Sequence, residues 1–142
     1  MGRNVYLDAN FIIRLVESED DSILFVLEQA AAGIVTLITS ELTLAEVLVG
    51  PVRERDRRLI RDYEDVFADA DLLEVQPVNR PILVRSAELR AALGNKLPDS
   101  IHVATAIGAA CEVFLSSDRR IRLPDGLVRI SVEDADDLDK WP

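Results

Sequence analysis

The sequence predicts an α/β protein, a three-layer α/β/α sandwich around a mostly parallel central sheet. Three observations carry this expectation. Short β-prone runs alternate with longer stretches of helical spacing, the pattern of strands joined by crossover helices. The chain has 142 residues, 49% of them hydrophobic, which is enough for one buried core. One segment, Ile101, Val103, Ala104, Ala106 and Ile107, is helical in spacing yet apolar almost all round, as a central helix is.

The elements follow in order. Val5-Tyr6-Leu7 reads as a first strand ending at Asp8. From Asn10 the apolar positions Phe11, Ile12, Leu15 and Val16 take helical spacing. Asp21-Ser22 opens a second helix, which Gly33 closes. Val35-Thr36-Leu37-Ile38-Thr39 is rich in β-branched residues and reads as the second strand. Ser40 and Thr43 both suit the cap of the next helix, which carries Glu46 and is expected to break or bend at Gly50-Pro51. A helix is expected over Arg53 to Ala68, with Leu59, Ile60, Tyr63, Val66 and Phe67 inward. Leu73-Glu74-Val75 is a short strand, and Pro77 and Pro81 punctuate the loop after it. A helix from Ile82 to Leu93 stops at Gly94-Asn95, and Pro98 fits the first turn of the central helix. Glu112 to Leu115 and Val128-Arg129-Ile130 are the last strands. The chain reads as a single unit over residues 1–142, with an acidic tail from about 133.

Composition removes several functions. One cysteine, Cys111, and one histidine, His102, exclude an internal disulfide and a cysteine- or histidine-rich metal site. Aromatics at 5% argue against a stacking platform for single strands. With no leader-like opening and no membrane-length apolar run, a cytoplasmic protein without a membrane partner is expected. The net charge of −10 opposes generic binding to phosphate backbones. Cations are clustered, however: Arg53, Arg55, Arg57, Arg58 and Arg61 in one run, and Arg119, Arg120 and Arg122 after Asp118. The plainer reading of the first run is a solvated helix face.

Four carboxylates flank the most apolar stretches: Asp8, Glu46, Asp99 and Asp118. An acid beside a core-forming run is costly to desolvate unless something pairs with it. Four such acids, with few His or Lys nearby, point to a shared hard cation, Mg²⁺ or Mn²⁺, and hence to phosphoryl chemistry. Asp8 and Asp118 follow strands, and Glu46 and Asp99 fall in first turns of helices after loops. In a parallel sheet, ligands gather at that carboxyl edge. Each acid also has a local explanation. Asp8 can cap a helix, Thr43 to Glu46 fits a capping box, Asp99 suits a helix N-terminus and Asp118 opens a turn. His102 reads as a satisfied polar group in the core rather than a ligand.

Four segments, Val5 to Asn10, Thr39 to Val47, Lys96 to Ala106 and Phe114 to Arg119, together resemble the PIN-domain family, most closely the VapC-type toxins of bacterial toxin–antitoxin pairs. The likeness runs from Val5 to about Arg122. It implies a Mg²⁺- or Mn²⁺-dependent endoribonuclease with Asp8, Glu46, Asp99 and Asp118 as the catalytic, metal-binding quartet. Asn10 and Ser116 match supporting positions, Ser116 standing where Thr is commoner. It further implies an RNA substrate, an antitoxin partner and a homodimer. Arg119 and Arg120, or the run from Arg53 to Arg61, are the candidates for holding the RNA backbone. Two other classes remain: a catalytically idle partner-binding domain of the same fold, and a phospho-acceptor signalling module. The module needs a Lys after a late strand, where this chain has Arg119 and Arg120.

Overall fold

The computed structural model describes residues 2–142. Five strands form one sheet in the order β3-β2-β1-β4-β5. They are β1 (Arg3–Leu7), β2 (Val35–Ser40), β3 (Glu74–Gln76), β4 (Val113–Leu115) and β5 (Val128–Ile130). Every neighbouring pair is parallel. Helices α1 (Ala9–Glu17), α2 (Asp21–Ala31), α3 (Glu41–Glu54), α4 (Arg57–Ala68), α5 (Arg80–Leu93) and α6 (Leu97–Gly108) make the crossovers.

Strand alternation builds the three layers. Val5 and Leu7, Leu37, and Val113 and Leu115 point to one face, where they meet α1, α2 and the buried Val47 and Tyr63 of α3 and α4. Tyr6, Ile38 and Phe114 point to the other, against Val103 and Ala106 of α6. Tyr6 pairs in register with both Ile38 and Phe114, and its ring stacks on Phe114 at 5.1 Å. Both faces are therefore apolar, as a covered parallel sheet requires. The α/β/α sandwich is the architecture expected from the sequence.

Local details depart from the expectation. α3 runs on through Gly50-Pro51 to Glu54. Pro51 lies in its last turn, where the missing N–H costs one bond and interrupts little. The chain breaks instead at Arg55, which takes a left-handed conformation (φ 56°), and Asp56 caps α4 through Leu59 N–H. The single helix expected over Arg53 to Ala68 is thus the end of α3 plus α4. Pro81 lies in the first turn of α5 rather than in a loop, with Asn79 as the cap. Ser40, not Thr43, caps α3; Thr43 is buried within the helix and bonded to Thr39. The capping box of Thr43 and Glu46 is therefore absent, and Glu46 sits in the second turn of α3.

The acidic segment after β5 packs on the body as two short 3-10 turns, Val132–Asp134 and Leu138–Lys140. Val132 and Ala135 are fully buried, and the Trp141 indole donates to the Ala135 carbonyl at 3.1 Å. Among the described residues no helix is long and apolar enough to cross a membrane.

Candidate active site

The strand order places the site. The chain leaves β1 towards β2 and β3 on one side and returns to β4 and β5 on the other, so the strand order reverses between β1 and β4. The crevice at the carboxyl ends of those two strands is where such sheets bind ligands. Asp8 follows β1, its N–H bonded to the Leu115 carbonyl, and Ser116 follows β4.

A cavity of ≈ 470 Å³ opens there. Its walls include Asp8, Asn10, Glu46, Asp99, His102, Ser117, Asp118 and Arg120. Four carboxylates from four separate chain segments thus share one concavity. Three of them also keep a local role. Asp8 caps α1, its Oδ1 accepting from Phe11 N–H at 3.1 Å. Asp99 lies in the first turn of α6. Asp118 Oδ1 accepts from Arg120 N–H at 3.0 Å in a tight turn. For these three the local and the functional explanations hold together: Asp8 and Asp118 accept backbone N–H groups, Asp99 stands at a helix N-terminus, and the sheet edge gathers them with Glu46.

Electrostatics divides the acids. Burial pushes the Asp8 carboxyl up, offset in part by the Ser116 hydroxyl and the Phe11 N–H. Burial also raises Asp99, and the charges of Asp118 and Glu46 add to it. Asp118 is held below the usual carboxylate range by hydrogen bonds from Arg120. That guanidinium grips both oxygens, Nε to Oδ1 at 3.0 Å and Nη2 to Oδ2 at 3.1 Å. Ser116 Oγ, fully buried, accepts from Asp118 N–H at 3.1 Å and so stands between Asp8 and Asp118.

Glu46 is held differently. His102 is 4% exposed, with Nε2 2.6 Å from Glu46 Oε1 and Nδ1 2.5 Å from the Tyr6 hydroxyl. Burial raises the Tyr6 pKa, so its proton stays on oxygen and is donated to Nδ1. Nε2 then carries the imidazole proton and donates to Glu46. His102 is a satisfied core residue, as the sequence suggested, and its partner is a cavity acid. That role was missed. The available signal was its spacing, three residues after Asp99 on one helix face. The 56 residues to Glu46 hid the rest.

Not every expected residue comes to the cavity. Arg120 lines it; Arg119 does not, lying instead near Arg129 and Asp134. None of Arg53 to Arg61 lines it, since these sit at the end of α3 and along α4. Among the described residues, no three acidic or histidine side chains close on one point as a ready chelate. Arg120 bonds Asp118 and His102 bonds Glu46, while all four carboxylates line the one cavity. The donors themselves are the hard oxygens that Mg²⁺ and Mn²⁺ prefer, and they fit such an ion chemically.

The model of the PIN domain matches residues 5–127. The chain belongs to the PIN-domain family. Its fold is also that of solved PIN structures. A chain of the VapBC2 complex from Rickettsia felis, bound to a promoter DNA fragment, matches with TM-score 0.72 at 20% identity, over 90% of this chain and 98% of that one. A toxin–antitoxin complex from Klebsiella pneumoniae gives TM-score 0.65 at 23% identity, over 87% and 95%. VapC20 of Mycobacterium tuberculosis, described as a sarcin–ricin loop cleaving toxin, gives 0.65 at 14%, over 82% and 92%. Comparison with curated proteins gives no match. The matched PIN region begins at β1 and ends just before β5, so it spans all four cavity acids.

Proposed function

We propose that this PIN-family chain acts as one cytoplasmic unit, a metal-dependent endoribonuclease and the toxin of a toxin–antitoxin pair. The observation that carries the reading is the convergence of Asp8, Glu46, Asp99 and Asp118 on one cavity at the switch point of the sheet. Family membership supports nuclease chemistry. The fold's likeness to chains from toxin–antitoxin complexes, and to an RNA-cleaving toxin, supports RNA as substrate and an antitoxin as partner. A homodimer belongs to the same family reading.

Asp8, Asp99 and Asp118 would hold the cation. Once bound, a Mg²⁺ or Mn²⁺ ion supplies neutralising charge at the phosphate and an acidified water. Glu46, anchored through Oε1 by His102, keeps Oε2 outside that hydrogen bond, where it can accept a proton. The Ser116 hydroxyl spaces Asp8 from Asp118. Asn10 lines the wall beside Asp8 and orients the phosphate.

The test is induction in cells with sequencing of cleaved RNA ends, beside Asp99→Asn, and the same pair purified with Mn²⁺ and with EDTA. Wild type cuts with Mn²⁺ and stops with EDTA. Asp99→Asn loses at least about 10²-fold, the usual cost of removing one electrostatic stabiliser. Identical RNA ends in both strains would leave the idle partner-binding domain as the reading.

A further inference from the structure

A second cavity, of ≈ 190 Å³, opens beside the first and is lined by Gly94, Asn95, Lys96, Asp99, Arg120 and Arg122. Asp99 and Arg120 belong to both walls. The first space is acidic; the second sets three cations against Asp99. Its floor is built by fixed contacts. Asn95, 6% exposed, donates Nδ2 to the Arg122 carbonyl at 2.8 Å and accepts Arg122 N–H on Oδ1 at 2.9 Å. Arg122 Nη1 donates to the Leu93 carbonyl at the end of α5, 2.8 Å away. Gly94 makes this approach possible: its φ is +76°, and a Cβ there would stand 3.1 Å from Arg122 Nη1. The N-terminal end of α6 adds a positive field. A cationic cleft with a rigid floor, next to a nuclease cavity, suits a phosphodiester.

Arg120 links the two spaces. Its side chain is 86% exposed, and among the described residues its guanidinium bonds to Asp118. An arginine fork and a divalent ion compete for the same carboxylate oxygens. Resting on the nuclease reading above, we propose that Arg120 is an exchanging counter-ion: it holds Asp118 in the metal-free protein and, when a cation takes Asp118, turns into the adjoining cleft to join Lys96 and Arg122 on a phosphate flanking the scissile one. Arg120 thereby couples the two events. The metal frees the residue that grips the RNA.

Two titrations at physiological salt test this. Mn²⁺ alone is titrated into wild type, Arg120→Gln and Arg119→Gln by calorimetry. A fluorescent 2′-O-methyl RNA hexamer, with Ca²⁺ in place of Mn²⁺, is titrated into wild type, Arg120→Gln and Lys96→Ala by anisotropy. Arg120→Gln binds Mn²⁺ about two- to fivefold tighter, the loss of one exposed competing ion pair. Arg119→Gln, which removes a neighbouring charge that does not touch Asp118, matches wild type because exposed charges are screened. Arg120→Gln and Lys96→Ala each weaken the hexamer roughly fivefold. If wild type binds Mn²⁺ and Arg120→Gln binds it no tighter, the exchange is wrong and the nuclease reading stands. Tighter Mn²⁺ with unchanged hexamer binding removes the phosphate cleft and so overturns the proposal. If neither protein binds Mn²⁺, both the exchange and the metal-dependent reading fall.

Discussion

Asp8 serves two masters at the residue scale. As the cap of α1 it needs an oxygen acceptor; as a cavity acid it needs a negative charge that burial resists. Its raised native pKa means that ionising it costs stability. The folded metal-free protein binds more protons than the unfolded chain as pH rises from the ordinary value of 3.8, so stability falls through that window. Asn is an equally good cap without the charge. In EDTA at pH 7, Asp8→Asn should therefore melt above wild type by a few degrees, with the gap closing below pH 3.8. Mg²⁺ should raise the wild-type melting temperature and raise that of the variant less. A variant that melts below wild type in EDTA would show that the charge is already compensated.

Tyr6 tests the support beneath Glu46. Its hydroxyl is buried and donates to His102, which in turn donates to Glu46. Tyr6→Phe keeps the ring stack on Phe114 but leaves Nδ1 of His102 without its donor. The expected loss is about 1–3 kcal/mol in urea unfolding, the penalty for orphaning a buried polar group. Unchanged stability would mean that His102 finds another partner.

At the scale of elements, the segment after β5 is fastened rather than loose. Glu133 accepts from Ser117 Oγ at 2.7 Å and pairs with Arg14 of α1, while its carbonyl accepts from Ser22 Oγ of α2 at 3.3 Å. The Ser117 hydrogen bond, with Arg14 behind it, lowers the Glu133 carboxyl to about 2. A depressed pKa gives stability that is present above 4.5 and lost as pH falls towards about 2. Because Glu133 is half exposed, the contribution is small. Glu133→Gln should make amide exchange in residues 132–141 faster at pH 7 and nearly equal to wild type at pH 2. Equal exchange at both values would mean that Val132, Ala135 and Trp141 hold the segment by packing alone.

Across the whole molecule, the net charge of −10 and the placement of its cations decide how RNA is met. Random RNA is repelled at long range, and the cations at the cavity rim act locally. Two neutralised phosphates, the scissile one and the one flanking it, predict a slope of about −1.4 in log K against log salt for single-stranded RNA. Anisotropy with a hexamer from 50 to 300 mM KCl reads this directly. A flat dependence would place recognition on bases instead of phosphates.

The sequence by itself determined the order and type of the elements, because strand and helix patterning is written in neighbouring residues. It also determined which four acids are out of place, since each adjoins a run that must enter the core. Helix ends were less legible: Pro51 and Pro81 act through their position within a turn, which spacing leaves open. Tertiary structure alone decided the rest. That β1 and β4 lie side by side, that His102 reaches Glu46 and that Arg120 occupies Asp118 are contacts made or oriented by the packed sheet and its loops. The physical reason is range. A hydrophobic period is local and survives in one dimension, whereas a counter-ion is chosen by distance in three.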